Sequence, residues 1–270
     1  MIQLAINYSN EAASLVAKGQ IEIERFKTPD WTDMIAEAGE QRPVAVHFNL
    51  NAGGLHFADT DWERCEALLE QTGTPYLNLH INAELSDFPG IPIHTPHRRQ
   101  FKVVADQLAA DVAAAVERFG PEHVIVENVP YRGALETTLR PSVEPRLIRQ
   151  IVESTGCGLL LDLSHARISA VYLGVDEFEY LSSLPVRNLR EMHFTGLRWS
   201  NGKLKDHLPA LPGDFRMLRW ALERIRGGEW STPWLLAFEY GGVGDKFRER
   251  SDPAVMVEQL PILRDMIIMI

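Results

Sequence analysis

Short apolar runs alternate with amphipathic stretches along the whole chain. Eight runs have the length and composition of strands: Leu4–Tyr8, Ile21–Phe26, Val44–Asn49, Tyr76–Ala83, His123–Val129, Leu159–Leu163, Leu189–Thr195 and Trp234–Tyr240. Runs this short and apolar, bounded by Gly and polar clusters, suit strands buried on both faces. The segments between them carry helix-end signals. Thr60 with Glu63 has the spacing of a capping box, and Gly73 suits the stop. Thr95-Pro96 opens the next helix and Gly120-Pro121 ends it, while Ser142 and Gly156 bracket the fifth. Strict alternation of strand and helix predicts a parallel sheet, and eight strands in 270 residues predict a (β/α)8 TIM barrel, an α/β fold in which residues 1–270 form a single domain. The longest connections after strands are Glu84–His94, Leu197–Gly213 and Gly241–Ser251, and no internal repeat or linker interrupts the pattern.

Chemistry concentrates where the strands end. The run Gly158-Leu-Leu-Leu-Asp-Leu-Ser-His165 terminates in Asp162 and His165, at the pole where barrel active sites are built. The other strands add to that pair: His47 on strand 3, His80 on strand 4, Glu127-Asn128 on strand 5, His193 on strand 7, Asp206-His207 in the loop that follows, and Glu239 on strand 8. Any one of these alone reads as an ordinary core histidine or ion pair; their recurrence at consecutive strand ends does not. So many ionisable groups in one barrel mouth require a compensating charge. Imidazole and carboxylate without thiolate is a donor set for Zn, Mn or Fe(II). His47, His80, Glu127, Asp162, His165, His193, His207 and Glu239 exceed what one ion needs, so two or three divalent metal ions are expected, with Glu127 or Glu239 as catalytic, bridging carboxylate. Asn49, Asn82, Asn128 and Arg198 are the expected polar substrate contacts. Asp206 fits a ligand, an orienter of His207 or a turn residue equally well. Glu24 either faces the lumen or pairs with an Arg. His56, His94, His97 and His123 are assigned to ordinary surface or core roles, and Cys65 and Cys157 lie away from the strand ends. Gly241-Gly-Val-Gly244 lacks the Lys-Ser/Thr of a phosphate loop.

Composition narrows the function classes. A formal charge of −10 argues against a protein that tracks a nucleic-acid backbone. Two cysteines exclude a disulfide framework and a Cys-rich zinc site. Met1–Tyr8 has no basic, then long apolar, leader pattern, and Met266–Ile270 is far too short to span a bilayer, so a cytoplasmic protein without a membrane segment is expected.

The ordered set His, His, Glu, Asp-x-x-His, His, Asp-His, Glu resembles the xylose-isomerase-like TIM barrels, a superfamily of sugar isomerases and epimerases, endonuclease IV and multinuclear iron oxidases. Within it, Val-Glu-Asn-Val-Pro from Val126, Thr155-Gly-Cys-Gly-Leu-Leu-Leu-Asp162, Gly174-Val-Asp-Glu-Phe-Glu-Tyr-Leu-Ser-Ser-Leu-Pro185 and Arg190-Glu-Met-His-Phe-Thr-Gly196 resemble the non-haem iron oxidases typified by the methanobactin-biosynthesis oxidase. That resemblance implies iron, O2 and a cysteine-containing peptide or small substrate, with a peptide-delivering partner protein. The chain departs from that family at Ser164-His165, where Asn-Asn is usual, and Asp206-His-Leu-Pro209 and Glu239-Tyr-Gly-Gly242 are nearer to sugar-isomerase style. The rival expectations are a Mn- or Zn-dependent sugar isomerase or epimerase, an endonuclease-IV-like phosphodiester hydrolase, and a non-catalytic metal- or ligand-binding barrel.

Overall fold

The computed structural model describes residues 1–95, 97–244 and 248–269. Pro96, expected to open the fourth helix, and residues 245–247 of the last long connection lie outside the described residues. In chain order the elements are β1 (Gln3–Asn7), α1 (Asn10–Ala17), β2 (Arg25–Pro29), α2 (Thr32–Gly39), β3 (Val44–His47), β4 (Asn51–Ala52), α3 (Trp62–Thr72), β5 (Leu77–Ile81), α4 (Arg98–Phe119), β6 (Val124–Glu127), α5 (Pro145–Thr155), β7 (Gly158–Asp162), α6 (Leu163–Leu173), α7 (Glu177–Ser183), β8 (Leu189–Phe194), β9 (Gly196–Ser200), β10 (Lys203–Leu208), α8 (Pro212–Arg226), β11 (Leu235–Phe238) and α9 (Pro253–Ile268).

The chain divides into two compact units. The first comprises Met1–Phe48, Glu66–Thr74 and Arg190–Ile270, and the second Asn49–Cys65 and Pro75–Leu189. In the first unit five parallel strands run in the order β3-β2-β1-β11-β8, with Ile6 opposite both Phe26 and Phe238, and Ala237 opposite His193. In the second, β4-β5-β6-β7 are parallel, with His80 opposite Glu127 and Glu127 opposite Leu160. Every residue of β6, β7 and β11 is buried, as expected of strands covered on both faces.

The helices bury one stripe each. On α5, Leu147, Ile148, Ile151 and Val152 are buried, and Gly156, at φ +75°, stops the helix in the left-handed region that only glycine enters freely. Burying each of those aliphatic side chains contributes about 1.5–3 kcal/mol. Two expected caps are replaced. Thr60 Oγ1 donates to the Phe57 carbonyl instead of capping α3, and Asp61 accepts from Arg64 N at 3.0 Å. Ser142 does not start α5; its hydroxyl accepts from Ala83 N at 2.9 Å, and Pro145 opens the helix.

Two strand expectations also change. The ladder on β2 begins at Arg25, so Ile21 and Ile23 are buried core residues ahead of the strand. The Leu197–Gly213 connection contains an antiparallel hairpin, β9 with β10, whose register shifts between Lys205 and Leu208. Glu24 takes the ion-pair role: Arg264 Nη1 lies 2.9 Å from its Oε1, and Leu4 N donates to its Oε2.

Candidate metal centre

In the second unit, three consecutive parallel strands end in ligand-type side chains. His80, on β5, points Nε2 at Glu127 Oε2 at 3.3 Å, and its Nδ1 donates to the Leu50 carbonyl at 3.2 Å. Glu127, the last residue of β6, is 1 % exposed, and its other oxygen lies 3.3 Å from His165 Nδ1. Asp162 ends β7 and caps α6: Oδ1 accepts from His165 N at 2.7 Å, and Oδ2 lies 3.6 Å from His165 Nδ1. The abrupt passage from strand to helix therefore places Asp162 and His165 on one corner. Ligand atoms of His80 and Glu127, of Glu127 and Asp162, and of Asp162 and His165 lie within 4.8 Å of one another.

In the first unit, His193 is fully buried on β8. Its Nε2 meets Glu191 Oε1 at 2.9 Å, and its Nδ1 lies 3.0 Å from Glu239 Oε1. Glu191 is held in turn by Trp234 Nε1, 3.0 Å from its second oxygen. Lys27, buried in the middle of β2, pairs with Glu239 Oε1. His207 sits in the irregular turn of β10 at φ +56°, a left-handed conformation uncommon for a non-glycine residue, and its Nδ1 donates to the Glu239 carbonyl at 2.8 Å. His47 ends β3, with its ring centroid 5.3 Å from that of His193.

The donor set fits a divalent ion. His80 and His207 each donate from Nδ1 to a backbone carbonyl, which leaves Nε2 as the lone-pair nitrogen, and the Trp234–Glu191–His193 chain has the form of a carboxylate–histidine–metal support. Glu191→Gln, which keeps the shape but weakens that support, is expected to lower metal affinity about 10- to 100-fold with the fold intact. Titration of the metal-free protein against a competing chelator reads this directly, and unchanged affinity would remove Glu191 from the support.

Electrostatics agree. Burial pulls the His193 imidazole down, but the carboxylates of Glu239 and Glu191 outweigh burial and the repulsion of Lys27, raising it to about 10. Burial likewise works against the Glu239 carboxylate, yet Lys27, His193 and His207 hold it well below the usual carboxylate range. A proton on His193 thus does in the metal-free protein what a cation would do. Because the folded pKa lies above the ordinary 6.5, this stabilisation is complete below pH 6.5 and is lost as pH rises through about 10. Melting temperatures of metal-free protein are expected to decline between pH 7 and 10, and His193→Gln to flatten that decline; an equal slope in both would contradict the assignment.

The residues expected to contact substrate are placed differently from one another. Asn49 is exposed just after β3. Asn128 is fully buried, and its amide is spent on the scaffold, donating to the Asp162 carbonyl at 2.9 Å and accepting from Asp162 N at 3.0 Å. Asn82 bonds Glu84 and Thr138. Arg198 ties the hairpin base through the carbonyls of Leu197 and Pro209, both at 2.7 Å. Asp206 is half-buried on β10. His56 and His123 are exposed, and His94 Nδ1 bonds the Tyr131 hydroxyl at 2.6 Å. Lys27, Glu191 and Trp234 were not singled out by the sequence reading, although Glu191 stands two residues from His193, on the same face of a strand.

Likeness to known proteins agrees with this geometry. Among solved structures, the chain is similar to a xylose isomerase domain protein from Alicyclobacillus acidocaldarius subsp. acidocaldarius (TM-score 0.56, 17% identity, 98% of this chain and 99% of that one). It is also similar to endonuclease IV from Thermus thermophilus (TM-score 0.55, 14% identity, 99% and 100%). These likenesses show the xylose-isomerase-like TIM-barrel fold. A UPF0276 protein of Pseudomonas aeruginosa (strain UCBPP-PA14) is 28% identical over 176 residues, covering 63% of this chain and 58% of that protein. The matches to this and two other curated relatives span 42 to 62% of those proteins' lengths. No helix among the described residues is long and apolar enough to cross a membrane. Residues 22–223 match the family model of the RiPP precursor modification enzymes MbnB/TglH/ChrH, and the chain, with the metal-ligand types of a metal-dependent enzyme at its strand ends, belongs to that family.

Proposed function

We propose that the protein is an iron-dependent oxidase that uses O2 to modify a cysteine-containing peptide, with a partner protein delivering that peptide. The observation that supports this most directly is Glu127, whose two oxygens each lie 3.3 Å from a different imidazole, His80 and His165, in a chain of a precursor-modifying family. A carboxylate so placed is built to bridge. In this reading the ligands are His80, Glu127, Asp162 and His165 of the second unit and His47, His193, His207 and Glu239 of the first, for two or three ions in all. The ions, iron in preference to Zn or Mn, would supply redox and Lewis-acid chemistry when bound.

The chain's own residues do the rest. Backbone carbonyls of Leu50 and Glu239 set the tautomers of His80 and His207, and Asn128 pins the peptide of Asp162. Asn49, exposed just after β3, is the residue this reading assigns to substrate. Arg198 holds the base of the β9–β10 hairpin, and Asn82 ties Glu84 to Thr138. The isomerase-domain and endonuclease likenesses share the fold at 14–17% identity and do not carry their reactions with them.

Anaerobic purification followed by metal analysis, then O2-uptake and product-mass measurements with a cysteine-containing precursor peptide, tests this. Two or three Fe per chain with peptide-dependent O2 uptake is the expected result. One Mn, no Fe and no O2 uptake would sink the oxidase reading.

A further inference from the structure

Lys27 is the only buried lysine among the described residues, 7 % exposed between the fully buried Phe26 and Thr28. Register places it opposite Asn7 on β1 and Ala45 on β3, so its side chain crosses β1 to reach Glu239, which follows β11. Small residues stand beside both long side chains: Ala45 is the register partner of Lys27 and Ala237 that of His193, and the two alanines pack in one buried cluster with Ala5 and Leu235. A lysine in such a place is costly unless paired, so this is not one of the exposed ion pairs that contribute little.

The ammonium and the buried imidazole meet Glu239 at one oxygen. Lys27 takes Oε1 of Glu239, the oxygen that also lies 3.0 Å from His193 Nδ1. Glu127 is arranged differently, with its two oxygens facing two imidazoles.

We propose that Lys27 is a positioning residue that occupies one oxygen of Glu239, so that Glu239 offers a metal Oε2 alone and serves as a terminal ligand, while bridging falls to Glu127. The same ammonium balances Glu239 when no metal is bound. This inference rests on the metal-binding reading above.

Lys27→Met, of similar length and without charge, tests it through the melting temperatures of metal-free and Fe(II)- or Zn(II)-loaded protein and through metal counts. Without metal the variant is expected to melt roughly 10 °C below wild type, because the His193 imidazole is then left to balance two buried carboxylates, Glu191 and Glu239, by itself. Metal should recover most of that loss, giving a larger metal-induced gain than in wild type, whereas Lys27→Arg should behave as wild type. If Lys27→Met does not fold without metal, the Lys27→Met/Glu239→Gln double variant should, since neither charge remains; a double variant that is equally unfolded overturns the proposal. A wild-type gain that Lys27→Met leaves unchanged overturns the role of Lys27 alone. No metal-induced gain in wild type overturns the metal reading, and this inference with it.

Discussion

Glu127→Gln is expected to strip metal from the protein and abolish turnover while the metal-free fold survives. The substitution preserves volume at the end of β6 and removes a buried charge. Its amide cannot bridge two cations, because one of its ends carries N–H donors where a metal would need a lone pair. Loss of an outer support costs about 10- to 100-fold in metal affinity, so loss of the residue between His80 and His165 should cost more. Metal counts after chelator competition, with circular dichroism of the metal-free variant, check this. A Gln variant that keeps the wild-type number of ions would show that Glu127 does not bridge.

A large effect away from the ligands is also expected from Gly196→Ala. A Cβ there would stand 2.0 Å from the Pro209 carbonyl oxygen, 2.4 Å from its carbon and 2.6 Å from the Leu208 oxygen. All three are backbone atoms and cannot swing aside, so β9 and β10 must separate where Gly196 faces Leu208. Overpacking of this kind costs about 1–3 kcal/mol, or roughly 2–12 °C in melting temperature for a chain of this size. The same displacement would pull His207, one residue before Leu208, off the Glu239 carbonyl it holds at 2.8 Å. The variant should therefore lose both stability and metal. Gly213→Ala, with nothing within 4 Å of the added carbon, is the control in the same unit and should be neutral or slightly stabilising. Equal melting temperatures for the two variants would contradict the argument.

Much of the scaffold was legible in the chain because buried parallel strands announce themselves locally. Val124–Glu127 and Gly158–Asp162 are continuous apolar runs that end in an acid, and no long-range information is needed to see where they stop. The β9–β10 hairpin was not legible: Lys203–Leu208 is mostly polar and partly exposed, so burial leaves no period to read. Lys27 was missed for a related reason. Ile21 and Ile23 are apolar and buried, which draws the apparent strand forward, whereas the ladder starts at Arg25 and places Lys27 well inside it. Asn128 illustrates the converse, since a polar residue beside a ligand is equally suited to substrate or scaffold until its hydrogen bonds are known.

The sequence by itself determined the alternation of strand and helix and the row of imidazoles and carboxylates at the strand ends, because both follow from local periodicity and from where each apolar run stops. Only the tertiary structure decided which atom of each residue faces which partner. The tautomers of His80 and His207, the division of Glu239 between its two oxygens and the support of His193 by Glu191 and Trp234 are set by contacts distant in sequence. Lys27 and Glu239 are 212 residues apart, and no local pattern encodes a pairing that only the sheet brings together.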